Sequence, residues 1–266
     1  MSFSISGKTA IVTGAANGIG LAIGRHFVDR GANVVFADID EDRLVEELGE
    51  QREEANIRYF AGDLREKLTV ANLLSATIDA FDRVDILVNA SRQMMASDPL
   101  NPEDDAVRYL LDQNLMTSLR LCQIVAKRMI KQAEGQEDGP VGSIVNISSI
   151  AARRANPDLL AYSISTAALD QMTRSLAVVL APHRIRVNAV AFGSVMSASL
   201  QSALKENGDF REEIEGGTPL QRIASSGELA ETVQYLACEA SSFMTGQIMT
   251  VDGGRTLLDP VCTPAH

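Results

Sequence analysis

Gly14, Gly18 and Gly20 fall in the run Thr13-Gly14-Ala15-Ala16-Asn17-Gly18-Ile19-Gly20, between a β-branched stretch ending at Val12 and an apolar stretch beginning Leu21-Ala22-Ile23. Glycines at such a turn permit positive φ, let the backbone approach a bound group closely, and leave a bare helix face against the strand. The first amides of the following helix then present unpaired N–H groups, which suits a pyrophosphate. Asp38 follows Gly20 by eighteen residues, where an acid can accept hydrogen bonds from the hydroxyls of an adenosine ribose. Its charge repels a 2′-phosphate, and Ile39, Ala15 and Ala16 offer no cation to one. The pattern predicts NAD as cofactor, with NADP less favoured; a solvated cap for a helix starting near Glu41 is the plainer role for Asp38.

Further along stand Asp63-Leu64, Asn89-Ala90, Asn114, Ile147-Ser148-Ser149, Tyr162 thirteen residues after Ser149, and Val251-Asp252-Gly253-Gly254. With the three-residue gap between Gly14 and Gly18, this set resembles the short-chain dehydrogenase/reductase family from roughly Gly7 to Gly254. The resemblance implies an oxidoreductase moving a hydride between NAD(H) and a small-molecule secondary alcohol or ketone. Tyr162 would be the acid/base, Ser149 would hold the substrate oxygen, and Asn114 would anchor a water or a backbone kink in the proton path. Asn17, Ile19, Asp63, Leu64, Asn89, Ala90, Tyr162, residue 166 and Val195 would join the glycines and Asp38 around the cofactor. A homo-oligomer, tetramer or dimer, is implied as well, with helices 104–133 and 157–181 at one interface. The chemistry itself is general: hydride transfer at a carbinol carbon requires a proton acceptor or donor within hydrogen-bond reach of its oxygen. A half-buried helix tyrosine and a loop hydroxyl are the plainer readings of Tyr162 and Ser149.

One position departs from the family. The residue four after the tyrosine is there a lysine, and here it is Thr166. Positions i and i+4 share a helix face, so the ammonium would lie beside the phenol and the nicotinamide ribose. A threonine hydroxyl is short and uncharged. Loss of an adjacent cation disfavours an anion by about 1.4 to 4 kcal/mol, so residual activity is expected and efficient turnover by the usual route is not. Ser91 stands where the family has Gly, and Phe192-Gly193 where it has Pro-Gly. Arg92, Arg153 and Arg154 fall on loops at the same edge and could supply a charge, although a guanidinium fork approaches differently from an ammonium. Surface solubility for Arg92, and an anionic substrate for Arg153 and Arg154, are the alternatives. Two functions stay open: an active oxidoreductase, or an impaired NAD-binding scaffold or sensor of the same fold.

The elements that must position these residues alternate in a βαβ rhythm. Strands are predicted at Thr9 to Val12, Asn33 to Ala37, Ile57 to Ala61, Asp85 to Asn89, Ser143 to Ile147, Arg186 to Val190 and Gln247 to Val251. Helices are predicted near 18–30, 41–54, 66–81, 104–133, 157–181 and 226–238. The fold class is therefore α/β, a doubly wound (Rossmann) seven-stranded parallel sheet with helices on both faces, in one domain over residues 1–266. Asn156-Pro157 marks the start of the helix that carries Tyr162. Ala133 to Gly142 reads as an exposed turn. The insertion at about 194–217 is longer than an ordinary connection and reads as a lid; Met196, Leu200, Leu204 and Phe210 on it suggest an apolar pocket or simply packing beneath the lid.

Composition narrows the partners. A net charge of −11 at pH 7 and the lack of Trp argue against nucleic acid and anionic membrane surfaces. Cys122, Cys238 and Cys262 form no CxxC pair, so neither a disulfide framework nor a metal site is expected. No apolar run approaches the ~20 residues of a membrane span, the first residues carry no secretory pattern, and a cytoplasmic location is expected.

Overall fold

Runs of Val, Ile and Ala that alternate their side chains to two sides form the sheet: β1 (Thr9–Thr13), β2 (Asn33–Asp38), β3 (Ile57–Ala61), β4 (Ile86–Asn89), β5 (Gly142–Ser149), β6 (Ile185–Phe192) and β7 (Ile248–Val251). All neighbouring pairs are parallel, in the order β3-β2-β1-β4-β5-β6-β7. The computed structural model describes residues 2–259 other than 198, 199, 202, 203, 206 and 207, with 52 and 53 described by backbone alone. Cys262 and part of the expected lid thus lie outside the described residues.

Both faces of the sheet are covered, which is why its strands read as almost unbroken apolar runs. Ala10, Val12, Val34, Phe36, Val88, Val145 and Val190 pack on one side with Ile23 and Phe27 of α1 (Gly18–Asp29). Ile11, Val35, Leu87, Ile144 and Val187 point to the other side, toward α3 (Lys67–Phe81), α5 (Thr117–Gln132) and α6 (Leu160–Leu180). Cys122 and Cys238 are free and buried, and burial pushes the Cys122 thiol up to about 12, so it is an inert core group.

Two predicted helices are divided. The stretch 41–54 is α2 (Glu41–Leu48) followed by a 3₁₀ segment, Gly49–Glu53, because Gly49 takes φ +50°. The stretch 104–133 begins at α4 (Ala106–Leu110), widens into a π turn over Leu111–Met116, and continues as α5. Such wide turns accommodate one extra residue and often mark functional positions. Within the insertion, α7 (Asp209–Gly216) precedes α8 (Ser226–Ala237). The strand order reverses between β1 and β4, and the crevice outside the carboxyl ends of these strands is where open α/β sheets take ligands.

Candidate active site

A cleft of about 1270 Å³ opens at that edge, larger than the roughly 300–1,000 Å³ of ordinary small-molecule pockets. Gly14, Asn17, Gly18, Ile19, Gly20, Asp38, Asp63, Leu64, Ala90, Ser149, Tyr162 and Val195 all line it, so most of the sequence-predicted site residues converge on one cleft. Asn89, Asn114 and Thr166 do not.

The glycine turn is a cradle that side chains would fill. Gly14 has φ +63°, and a Cβ there would lie 2.7 Å from Ser91 Cα; a Cβ on Gly20 would lie 2.1 Å from the Gly14 carbonyl oxygen. Asn17 precedes α1 in extended conformation, exposed, without capping the helix through its side chain. The first amides of α1 are thereby left for an anion. Asp38 is not the cap of α2, a role that Asp40 fills by accepting from the Arg43 N–H. Its carboxylate instead accepts N–H groups from Ala16 (3.0 Å), Ile39 (2.7 Å) and Asp40 (3.2 Å), which fixes it at the lip of the cradle. These features fit an adenine dinucleotide: backbone donors for the phosphates, then an acid one strand away for the ribose. Asp63 shares the same end of the cleft, where bonds from Nε and Nη2 of Arg65 hold its carboxyl below the usual range.

At the other end, Tyr162 on α6 packs its ring among Ala106 and Leu110 of α4 and Ala161. The Ser149 hydroxyl accepts the Ala151 N–H at 3.1 Å, which caps a short 3₁₀ turn and leaves its O–H to donate. Buried polar bonds set the register of helix against strand: the Ser148 hydroxyl donates to Asp170 (2.6 Å), and Asn146 Nδ2 donates to the Thr173 hydroxyl (2.8 Å). Asn156 accepts from the Asp158 N–H ahead of Pro157, so the expected start signal of this helix is present. Burial pushes the Asp170 carboxyl up, against the opposing effects of the Ser148 bond, Arg153 and Arg174. An acid raised on folding contributes stability at low pH that is lost as pH climbs past its ordinary range to its raised one. Asp170→Asn, which keeps an acceptor for Ser148, should therefore gain thermal stability relative to the parent as pH rises from 4 to 8; melts in which the gap stays constant would refute this.

Two expected roles need correction, those of Asn89 and Thr166, and that of Asn114 takes its backbone form. The Asn89 side chain turns into the core and donates to Asn146 Oδ1 (2.8 Å) and Cys122 Sγ (3.3 Å), away from the cleft. The Thr166 hydroxyl is buried and donates to the carbonyls of Tyr162 (3.0 Å) and Ser163 (3.2 Å) in its own helix; it satisfies itself there and lies apart from the cofactor cleft. Asn114 clamps backbone: its Oδ1 accepts the Gln93 N–H (2.8 Å), and its Nδ2 donates to the Gln93 carbonyl (2.9 Å) and the Ser165 hydroxyl (3.1 Å). The π turn is the element that carries it. On the insertion, Leu200 lines the cleft with Ser197, Gly216 and Gly217, whereas Phe210 is exposed.

Spacing alone could not show where the arginines go. Arg153 donates to the Thr250 hydroxyl (3.0 Å) and the Ile248 carbonyl (3.4 Å), which ties it to β7, and Arg154 donates to the Thr256 carbonyl. Arg92 Nη1 donates to the Tyr162 hydroxyl oxygen, with its guanidinium 4.4 Å from the centre of the Phe192 ring. Thr13 was also missed: its hydroxyl accepts the Ala90 and Ser91 N–H groups, both at 3.1 Å. A threonine at the end of β1, directly before the glycine turn, was the available signal.

A family model described as enoyl-(acyl carrier protein) reductase matches residues 14–256. A short-chain dehydrogenase/reductase of Aspergillus oryzae is 33% identical over 260 residues, covering 96% of this chain and 97% of its own. The chain belongs to the short-chain dehydrogenase/reductase family. Among solved structures of this fold, a 7α-hydroxysteroid dehydrogenase complexed with NADH and 7-oxo glycochenodeoxycholic acid matches with a TM-score of 0.86 and 30% identity, over 95% of each chain. A gluconate 5-dehydrogenase from Burkholderia cenocepacia, in complex with NADP and tartrate, gives 0.86 and 28% over 97% of this chain and 98% of that one. The short-chain dehydrogenase/reductase fold thus binds a nicotinamide cofactor, and its carriers are oxidoreductases acting on small molecules. No helix among the described residues is long and apolar enough to cross a membrane.

Proposed function

We propose that this chain transfers a hydride between NAD(H) and a secondary alcohol or ketone, with Tyr162 as acid/base and Ser149 as the holder of the substrate oxygen. The observation that carries the reading is one cleft lined both by the glycine cradle and by Tyr162 and Ser149. A bound nicotinamide supplies the hydride acceptor or donor. In the oxidising direction the Tyr162 oxygen takes the carbinol proton as the hydride leaves the carbon, and in the reducing direction it returns that proton to the carbonyl oxygen. Ser149 donates its O–H to the same oxygen and so fixes the reacting carbon. The glycine turn and the start of α1 hold the pyrophosphate, Asp38 the adenosine ribose, and Asp63, Leu64, Ala90, Ile19 and Val195 the remaining walls. Ser197, Leu200, Gly216 and Gly217, from the described part of the insertion, border the space left for the substrate. Ile164, Val178 and Val179, exposed on α6, support a homo-oligomeric assembly through that helix.

Asp38 favours NAD. Two unit charges 4 Å apart repel by about 1 kcal/mol even with the screening of bulk water, so a nearly dianionic 2′-phosphate is disfavoured by about 2 kcal/mol, roughly thirtyfold. Titration should show NADH binding about thirtyfold or more tighter than NADPH, and Asp38→Ser should shrink that ratio below about tenfold. Equal affinities in the parent would defeat the assignment. The second reading, an NAD-binding scaffold or sensor, is favoured by one observation: no lysine lines the cleft among the described residues. Turnover across a panel of secondary alcohols and ketones, in a protein that binds NADH, separates the two.

A further inference from the structure

We infer that Arg92, stacked on Phe192, is the cation that serves Tyr162, in the electrostatic place where the family has its lysine. This rests on the reading of Tyr162 as the acid/base. Arg92 Nη1 donates to the phenol oxygen, and a donor there stabilises the phenolate while leaving the phenol's own proton to be directed at a substrate. The guanidinium lies 4.4 Å from the Phe192 ring centre and 5.8 Å from that of Tyr162, well within the range of cation–π attraction. Phe192 stands where the family has Pro, so this departure supplies the ring on which the guanidinium stacks.

The loop that carries Arg92 is fixed on both sides. Thr13 accepts the amides of Ala90 and Ser91, and Asn114 brackets Gln93 through both its N–H and its carbonyl. The Tyr109 hydroxyl donates to Gln93 Oε1 at 2.6 Å and adds a third tie. Asn114 thereby acts on the phenol through the backbone that holds Arg92. Among the described residues, other charged groups along the cleft have partners of their own. Arg154, from the turn after β5, is engaged with the Thr256 carbonyl, and Arg255 donates to the Ser194 hydroxyl at 3.0 Å. Asp259 lines the cleft with them, and Asp170, two turns along α6, is held by Ser148. Arg92 acts through the phenol and is a positioning residue.

The test compares the parent with Arg92→Met, Arg92→Lys and Phe192→Leu. The Tyr162 phenol is followed without cofactor, as the near-ultraviolet tyrosinate absorbance that Tyr162→Phe removes. Arg92→Met should move that titration to a pH about 1 to 3 higher, the effect of one adjacent cation. It should lower kcat at neutral pH by about ten- to a thousandfold, with recovery toward alkaline pH and little change in KM or NADH affinity. Arg92→Lys should restore part of the loss, and Phe192→Leu should shift the titration the same way by less. An unmoved titration in Arg92→Met overturns the inference, as does a rise in kcat, which would make Arg92 a plug over the phenol. If Arg92→Met does not fold, Arg92→Gln takes its place, and an unmoved titration there has the same force. A parent that neither binds NADH nor turns over any substrate defeats the oxidoreductase reading instead, while the phenol titration still decides the Arg92 contact.

Discussion

Tyr162→Phe should lower kcat by about 10²- to 10⁴-fold, the usual worth of a positioned acid/base, while NADH affinity stays within about threefold of the parent. The two halves of this result belong together. The ring of Tyr162 packs on Ala106 and Leu110 and is 2% exposed, so phenylalanine retains the packing and removes only the oxygen that Arg92 meets. A structural tyrosine would give the opposite pattern, with a lowered melting temperature and unchanged turnover. Retention of more than about a tenth of parental kcat would show that the proton travels by another route. Ser149→Ala offers an internal comparison, because it takes away a donor to the same oxygen and should cost roughly 10²- to 10³-fold.

Gly20→Ala should abolish measurable NADH binding and destabilise the fold. The added Cβ would sit 2.1 Å from the Gly14 oxygen, 2.7 Å from the Gly14 carbonyl carbon and 3.0 Å from the Thr13 oxygen. These are backbone atoms, so no rotamer change relieves the overlap and α1 must move off β1. The cost lies at or beyond the upper end of the roughly 1–3 kcal/mol typical of overpacking, and the same movement opens the phosphate cradle. Gly208→Ala is the control, since a Cβ there meets nothing within 4 Å and should change stability by less than about 0.5 kcal/mol. Parent-like affinity in Gly20→Ala would mean that the dinucleotide does not sit at this turn.

Much of this was legible from sequence, for physical reasons that differ by element. The strands fall within two residues of their predicted ends because a doubly covered parallel sheet demands runs such as Ala10-Ile11-Val12, apolar on both sides. The glycine turn and Asp38 were legible because their spacing follows from backbone geometry, and Tyr162 and Ser149 because the family resemblance covers them. Asn89, Thr166 and Arg92 were not. Each depends on a side-chain direction set by tertiary neighbours: Cys122 and Asn146 for Asn89, the helix's own carbonyls for Thr166, and Phe192 for Arg92. The division of residues 104–133 was equally hidden, since a π turn has no residue signature comparable to a cap or a proline.

That wide turn over Leu111–Met116 makes part of the cleft a matter of counting. Remove one residue there and the segment can close into a regular ladder, the faces on either side keeping their register while the backbone that presents Asn114 is redrawn. The sheet would survive, because none of its strands lies nearby in sequence, but the amide of Asn114 would lose Gln93 and the loop beyond it would be unmoored. Here the reactive end of the protein depends on how many residues the chain spends between two helices, so a silent-looking deletion could disarm it without touching any group that does chemistry.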